Sequence, residues 1–195
     1  MIALRGASEF RRLDKIERFY YLLHPQPTVV VITKCEGGRV NAMPVSWVTP
    51  ISEEPPTLGV AIDRESYTHE CLEKHREATI NIPGPQHVDL VYALGSVSGR
   101  EVDKVERFNL VLIEGSKVSA PLWRDAMAAL EVTVYRELDV GECRFYVLKV
   151  ESAWIREGLF TKYGWNTAKT SPLLHGIGRT FYLVGRQIYA RKIEP

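Results

Sequence analysis

The chain has 195 residues, 45% of them hydrophobic and 25% charged, and its 25 basic against 24 acidic residues leave a net charge of +1. That length is enough for one domain to bury a core of its own, and the charge balance gives no electrostatic footprint for nucleic acid or an anionic membrane. The longest apolar runs, such as Val29-Val30-Val31-Ile32, are far too short to cross a bilayer as helix. The start of the chain carries charges from Arg5 onward and does not read as a signal peptide. Cys35, Cys71 and Cys143 are scattered without a CxxC, which predicts no disulfide framework and a reducing, cytoplasmic setting.

In chain order, the β-branched run from Thr28 to Thr33, the Gly37-Gly38 pair and a second strand from about Arg39 predict a β-hairpin. Pro55-Pro56 breaks the chain before a third strand, Thr57 to Ile62. Ser66 or Thr68 caps a short helix running to Lys74, and Glu77 to Ile82 returns as a strand ended by Pro83. Apolar positions at Val88, Val91, Tyr92 and Leu94, followed by Gly95, predict a helix with a glycine stop. Gly95 to Lys104 reads as loop, and short strands follow from Phe108. A long hairpin turns at Asp139-Val140-Gly141, with Val132, Val134, Phe145 and Val147 expected on one face. Thr180 to Gly185 and Arg186 to Ile193 read as late strands. Many short strands with few helices predict a mainly β, barrel-like chain in one domain over 1–195.

Familiar catalytic signatures are absent: there is no Walker loop, HExxH or GxSxG. The Gly176–Phe181 stretch lacks the third glycine of a dinucleotide fingerprint and precedes a strand rather than a helix. His24, His69, His75, His87 and His175 show no metal-ligand spacing with the cysteines. No catalytic residue and no metal ligand is assigned.

The segment Asn41 to Thr49 is more informative. Alternation puts Asn41, Met43, Val45, Trp47 and Thr49 on one face and Ala42, Pro44, Ser46 and Val48 on the other, so neither face is purely apolar. Two readings stay open. Either Asn41 belongs to the turn and Ser46 and Thr49 face solvent, or the strand lines a flat ligand whose polar edge needs partners. Pro44 has no N–H for a ladder, which fits a sheet edge. Arg64, Ser66 and Thr68 at a helix start make either a plain cap or a phosphate cradle, and Ser96 to Arg100 with Lys104 is a second polar loop that suits the same anion.

Taken as a series, N-x-M-P-x-S-W from Asn41, a Pro-Pro step, D-R-x-S-x-T from Asp63 and N-I-P from Asn81 resemble the flavin reductase-like, FMN-binding split-barrel family, in particular its flavoredoxin branch. The matching pieces run in order over about residues 25–185. The resemblance implies a mainly β (α+β) fold, a split β-barrel with a few flanking helices, and FMN as cofactor. It implies that Asn41 and Ser46 meet the isoalloxazine edge, that Ala42, Met43, Pro44 and Val45 supply backbone groups and packing, and that Trp47 closes the motif. Asp63, Arg64, Ser66 and Thr68 then match the phosphate-side loop, and Asn81, Ser98, Gly99, Arg100 and Lys104 close the pocket. Members of the family are generally homodimers. The resemblance implies an NAD(P)H-dependent flavin or ferric reductase that passes hydride to FMN and electrons onward to a small-molecule acceptor. The alternative is an FMN-binding electron carrier fed by a protein donor. Hydride transfer to the flavin needs no protein acid or base. His175 and Tyr182 match a late motif to which the residues give no role.

Overall fold

The computed structural model describes residues 12–193; residues 1–11, the first part of the stretch that argues against a signal peptide, lie outside the described residues. Seven strands form the main sheet: β1 Val29–Lys34, β2 Val40–Val45, β3 Val48–Glu53, β4 Pro56–Asp63, β5 Glu77–Ile82, β6 Ala128–Val140 and β7 Cys143–Ile155. Their order is β2-β1-β5-β6-β7-β4-β3, antiparallel throughout. The two edge strands, β2 and β3, are joined by Ser46 and Trp47 alone. A flat sheet of this width would hold its edges roughly 29 Å apart, from strand spacings of about 4.8 Å. The step from Val45 to Val48 spans at most about 11 Å. The sheet must therefore curl until its edges meet, which makes it a barrel with a split between β2 and β3.

The inside of the barrel is filled by Val29, Val31, Val45, Val60, Ile62, Ile80, Val132, Tyr146 and Leu148, with Leu72 from the first helix. A second apolar layer lies outside, where Val30, Ile32 and Ala42 pack on Val91, Leu94, Trp123 and Leu173. β1 is thus buried on both faces, which is why its sequence is a continuous apolar run rather than an alternation. Among the described residues three α-helices flank the barrel. α1, Tyr67–His75, starts at Ser66, whose hydroxyl accepts from the His69 N–H at 3.2 Å, so Ser66 rather than Thr68 is the cap. α2 is Val88–Gly95, and α3, Lys104–Arg107, is capped by Asp103 and begins where the sequence reads as loop. A small three-stranded sheet of Gln26–Pro27, Leu174–His175 and Phe181–Tyr182 closes one end of the groove described below.

Several sequence expectations need correction. The segment Asn41 to Thr49 is not one strand: β2 stops at Val45 and the chain crosses the split, so Trp47 and Thr49 do not share a face with Asn41. Residues facing the barrel on β7 are Tyr146 and Leu148, not Phe145 and Val147. A bulge between Arg136 and Val134 shifts the β6–β7 register, and Phe145 instead lies across Gly59 on the outer face. Cys35 and Cys71 form a disulfide between the end of β1 and α1, a proximity that a separation of 36 residues does not announce. Of the two late strands expected from Thr180 onward, only Phe181–Tyr182 forms, and residues 186–193 form no regular element.

One buried carboxylate holds the loop that precedes β6. Glu131 is fully buried, and its oxygens accept from the Trp154 indole at 2.7 Å and from the backbone N–H groups of Ser116, Lys117 and Val118 at 2.6 to 3.0 Å. Burial alone would raise its pKa, but these donors hold it at about 2 against an ordinary 4.5. A depressed carboxyl pKa contributes stability above the unfolded value that is lost as pH falls towards the folded one. Urea unfolding should therefore show Glu131→Gln about 3 kcal/mol less stable than the parent at neutral pH, with the gap closing between about pH 4.5 and pH 2. A gap that stays constant across that window would mean that the carboxylate is not what the loop is built on.

Candidate functional site

Because β2 pairs only with β1, its other edge is free, and α2 and α3 pack along it. Two cavities open in this groove. A polar chamber of about 340 Å³ is lined by Asn41, Met43, Glu65, Ser66, Tyr67, Thr68, Ser98, Gly99, Arg100 and Lys104, among others. A larger chamber of about 520 Å³ is lined by Pro44, Val45, Ser46, Val91, Tyr92, His175 and Phe181. Gly95 and Ser96, at the end of α2, line both and form the neck between them. A Cβ at Gly95 would stand 3.0 Å from the Pro44 ring, so glycine keeps the neck open.

The polar chamber is built on one buried cation. Lys104 is only 4% exposed, and its ammonium donates to the Ala42 carbonyl at 3.0 Å and the Leu94 carbonyl at 2.7 Å. The first of these acceptors is on the edge strand and the second on α2, so the side chain ties the two together. Among the described residues no carboxylate lies within ion-pair distance of it, and burial pushes its pKa down to about 8. An ammonium has three N–H groups, and two of them are spent on carbonyls. The chamber also receives the Ser66 and Thr68 side chains at the N-terminus of α1, where backbone N–H groups and the helix dipole favour an anion.

Asn41 sits within β2, not in the turn, and is 2% exposed. Its amide donates to Thr68 Oγ1 at 2.8 Å, while its Oδ1 is buried without a partner. Gly99 passes so close that a Cβ there would collide with Asn41 Oδ1 and the Tyr67 ring. Arg39 and Arg100 hold their guanidinium groups 5.5 and 5.6 Å from the Tyr67 ring centre. Arg100 is itself anchored on the Glu65 carbonyl at 2.7 Å and the Glu70 carboxylate at 3.2 Å, while Arg39 donates to the Gly99 carbonyl at 2.6 Å.

Of the residues singled out in the sequence, Asn41, Met43, Pro44, Val45, Ser46, Ser66, Thr68, Ser98, Gly99, Arg100 and Lys104 meet along this groove. Ala42 lies beneath it, fully buried, and contributes its carbonyl to Lys104. Four others lie elsewhere. Trp47 turns to the far side of the split against Tyr20, with ring centres 5.7 Å apart. Asp63 accepts from the Glu65 N–H at 2.8 Å in a local turn. Arg64 donates to the Gly141 carbonyl at 2.8 Å, against the β6–β7 hairpin. Asn81 is a buried structural amide, donating to the Val30 carbonyl at 3.2 Å and accepting from the Trp123 N–H at 2.8 Å. Sequence reasoning missed Tyr67, Tyr92 and Phe181 as lining residues and saw Gly95 only as a helix stop. The late motif gains a place, since His175 lines the larger chamber within 3.4 Å of Ser46.

Residues 21–182 match the model of the flavin reductase-like domain. An FMN-binding protein from Thermus thermophilus, solved with bound 1-cyclohex-2-enone, superposes with a TM-score of 0.79 at 28% identity, covering 98% of this chain and 100% of that one. A flavoredoxin from Methanosarcina acetivorans superposes with a TM-score of 0.78 at 25% identity, covering 85% and 88%. The reductase component of a 4-nitrophenol 4-monooxygenase/4-nitrocatechol 2-monooxygenase from Rhodococcus opacus is 26% identical over 72% of each chain. The match of the family model over most of the chain, on a split barrel of the same shape, shows that this protein belongs to the flavin reductase-like family.

Proposed function

We propose that this protein is an FMN-dependent oxidoreductase that accepts electrons from NAD(P)H and passes them to a small-molecule acceptor. The observation that carries the reading is Lys104, a buried ammonium with no carboxylate partner among the described residues and a spare N–H at the polar chamber. It suits the FMN phosphate, with the Ser66 and Thr68 hydroxyls and the start of α1 as further donors. Met43 to Ser46 and the larger chamber beyond Gly95, whose walls mix apolar and neutral polar groups, would hold the isoalloxazine. The ring supplies hydride and single-electron chemistry when bound, so the chain's work is to bind it, orient it and exclude water. No residue of the chain is assigned an acid or base role.

The relatives support two readings. Similarity to a monooxygenase reductase component favours a reductase that turns over, and similarity to a flavoredoxin favours a second reading, an electron carrier reduced by a protein donor. The enone bound to the Thermus protein supports a small carbonyl compound among the acceptors. A second copy of the chain is the proposed partner. An exposed apolar trough of about 280 Å³, lined by Phe19, Leu23, Trp47 and Phe145, lies on the opposite side of the split and suits such a contact.

Two experiments test the reading. Isothermal titration should show Lys104→Met binding FMN roughly 10- to 100-fold more weakly, the loss of one charge-assisted contact, with a clearly smaller loss for riboflavin, which feels only the broken tie between β2 and α2. Arg64→Ala should alter neither. In the parent protein Lys104 loses its charge above about pH 8, so FMN affinity should fall as pH rises through that value, while riboflavin affinity and the Lys104→Met variant stay flat. Equal effects on FMN and riboflavin would remove the phosphate from this chamber. Separately, anaerobic addition of NADH or NADPH to the FMN-loaded protein should bleach the flavin absorbance within turnover time; a persistent band would favour the carrier.

A further inference from the structure

The hydrogen bonds around the late motif have a fixed direction. His175 Nε2 lies 3.1 Å from the Gly178 carbonyl, and His24 Nδ1 lies 3.0 Å from the His175 carbonyl. Carbonyl oxygens only accept, so both ring nitrogens must carry protons. A neutral His175 protonated at Nε2 has a bare lone pair at Nδ1. The atom facing that lone pair is Ser46 Oγ, at 3.4 Å, in the wall of the larger chamber. The serine hydroxyl has a single hydrogen, and Nδ1 is where it goes. Phe181, with its ring centre 5.1 Å from that of His175, packs against the imidazole and helps hold it there.

We infer that His175 is a positioning residue that takes up the Ser46 proton, so that Ser46 presents only acceptor lone pairs to the cleft and selects a ligand whose facing group is an N–H donor. The selection of a ligand rests on the flavin reading above. A flavin ring offers such a donor at N3 in every redox state and at N5 only when reduced. The orientation of the Ser46 hydroxyl does not rest on that reading, because Gly178 fixes it in the protein alone.

The test therefore has two arms. Long-range proton–nitrogen correlation spectra of the flavin-free protein, recorded at mildly alkaline pH where imidazoles are neutral, report the tautomer directly. The His175 signals are identified by their loss in His175→Asn. The expected pattern is protonation at Nε2 with a hydrogen-bonded, unprotonated Nδ1 whose shift moves in Ser46→Ala. Protonation at Nδ1, or no response to Ser46→Ala, overturns the inference whether or not FMN binds.

The second arm is a double-mutant cycle on FMN affinity. Ser46→Ala and His175→Phe should each weaken binding about fivefold, the worth of one neutral hydrogen bond, and the double variant no more than either. His175→Asn keeps an acceptor at the Nδ1 position and should retain affinity, whereas His175→Gln should not. Additive losses, or equal loss in the Asn and Gln variants, would make His175 a packing residue only. Failure of the parent protein to take up FMN would sink the flavin reading and leave the tautomer measurement to decide the pair.

Discussion

The link between the two edges of the sheet governs the molecule. Ser46 and Trp47 carry the chain from β2 to β3, and a sheet whose outermost strands are tied by two residues has no geometry open to it but a closed one. Closure is incomplete because β2 and β3 are joined without being laddered to each other along their length. The outer edge of β2 is left with backbone groups that need partners, and a protein interior tolerates few orphans. α2 and α3 cover that edge, and the Lys104 ammonium donates to the Ala42 carbonyl on it. The groove follows directly: it is the space left where helices, rather than a neighbouring strand, approach an edge.

That arrangement has an energetic cost. A lysine held at 4% exposure between two carbonyls, with its pKa depressed to about 8, is charged at neutral pH against the pull of its surroundings. The orphaned Asn41 Oδ1 is a second unfavourable group within the same chamber. Elsewhere the chain satisfies its buried charge fully, as the donors converging on Glu131 show. The contrast is local: the carboxylate is saturated where it holds a loop, and the ammonium is left short where the groove opens. Unfavourable polar groups gathered at one concave spot are what a site for a charged ligand has before the ligand arrives.

Local chemistry made much of this legible in the sequence. Gly37-Gly38 marked the hairpin, Ser66 marked the start of α1, and Pro44 marked an edge strand because it cannot donate to a ladder. Asn41 stands out as a polar group in a segment otherwise suited to burial, whereas Lys104 reads only as the end of a polar loop and its burial is not legible there. What failed was whatever depends on register or on crossing the split. Trp47 is one residue from Ser46 but on the other side of the split, and no periodicity signals that turn. Arg64 is a better phosphate partner in sequence than Arg100, yet Arg64 leans on the Gly141 turn of a hairpin formed from residues far along the chain. Asn81 has the composition of a ligand residue and the surroundings of a strut between β1 and Trp123. The bulge that sends Tyr146 inward and Phe145 outward arises from pairing between β6 and β7, which neither strand encodes alone.

The two ends of the groove differ in a way that bears on how such a protein works. Charge is concentrated at the polar chamber, where Lys104, Arg100 and the start of α1 converge, and on the proposed function an anionic tail held there would anchor a ligand without touching its reacting part. The larger chamber has no charged residue in its lining; Ser46, Ser96, His175 and Thr28 are its polar members among Pro44, Val45, Val91, Tyr92 and Phe181. Binding strength and reactivity are thereby separated along a single strand edge. Strong electrostatic contact at one end leaves the other free to be lined with directional but neutral hydrogen bonds, which tune a ring without fixing its charge state. On the function proposed above, a neutral chamber beside the flavin ring is also where a second, smaller molecule would meet it. Gly95 is the residue that keeps the two ends in one groove, because any side chain there would press on the Pro44 ring and narrow the passage between anchor and ring.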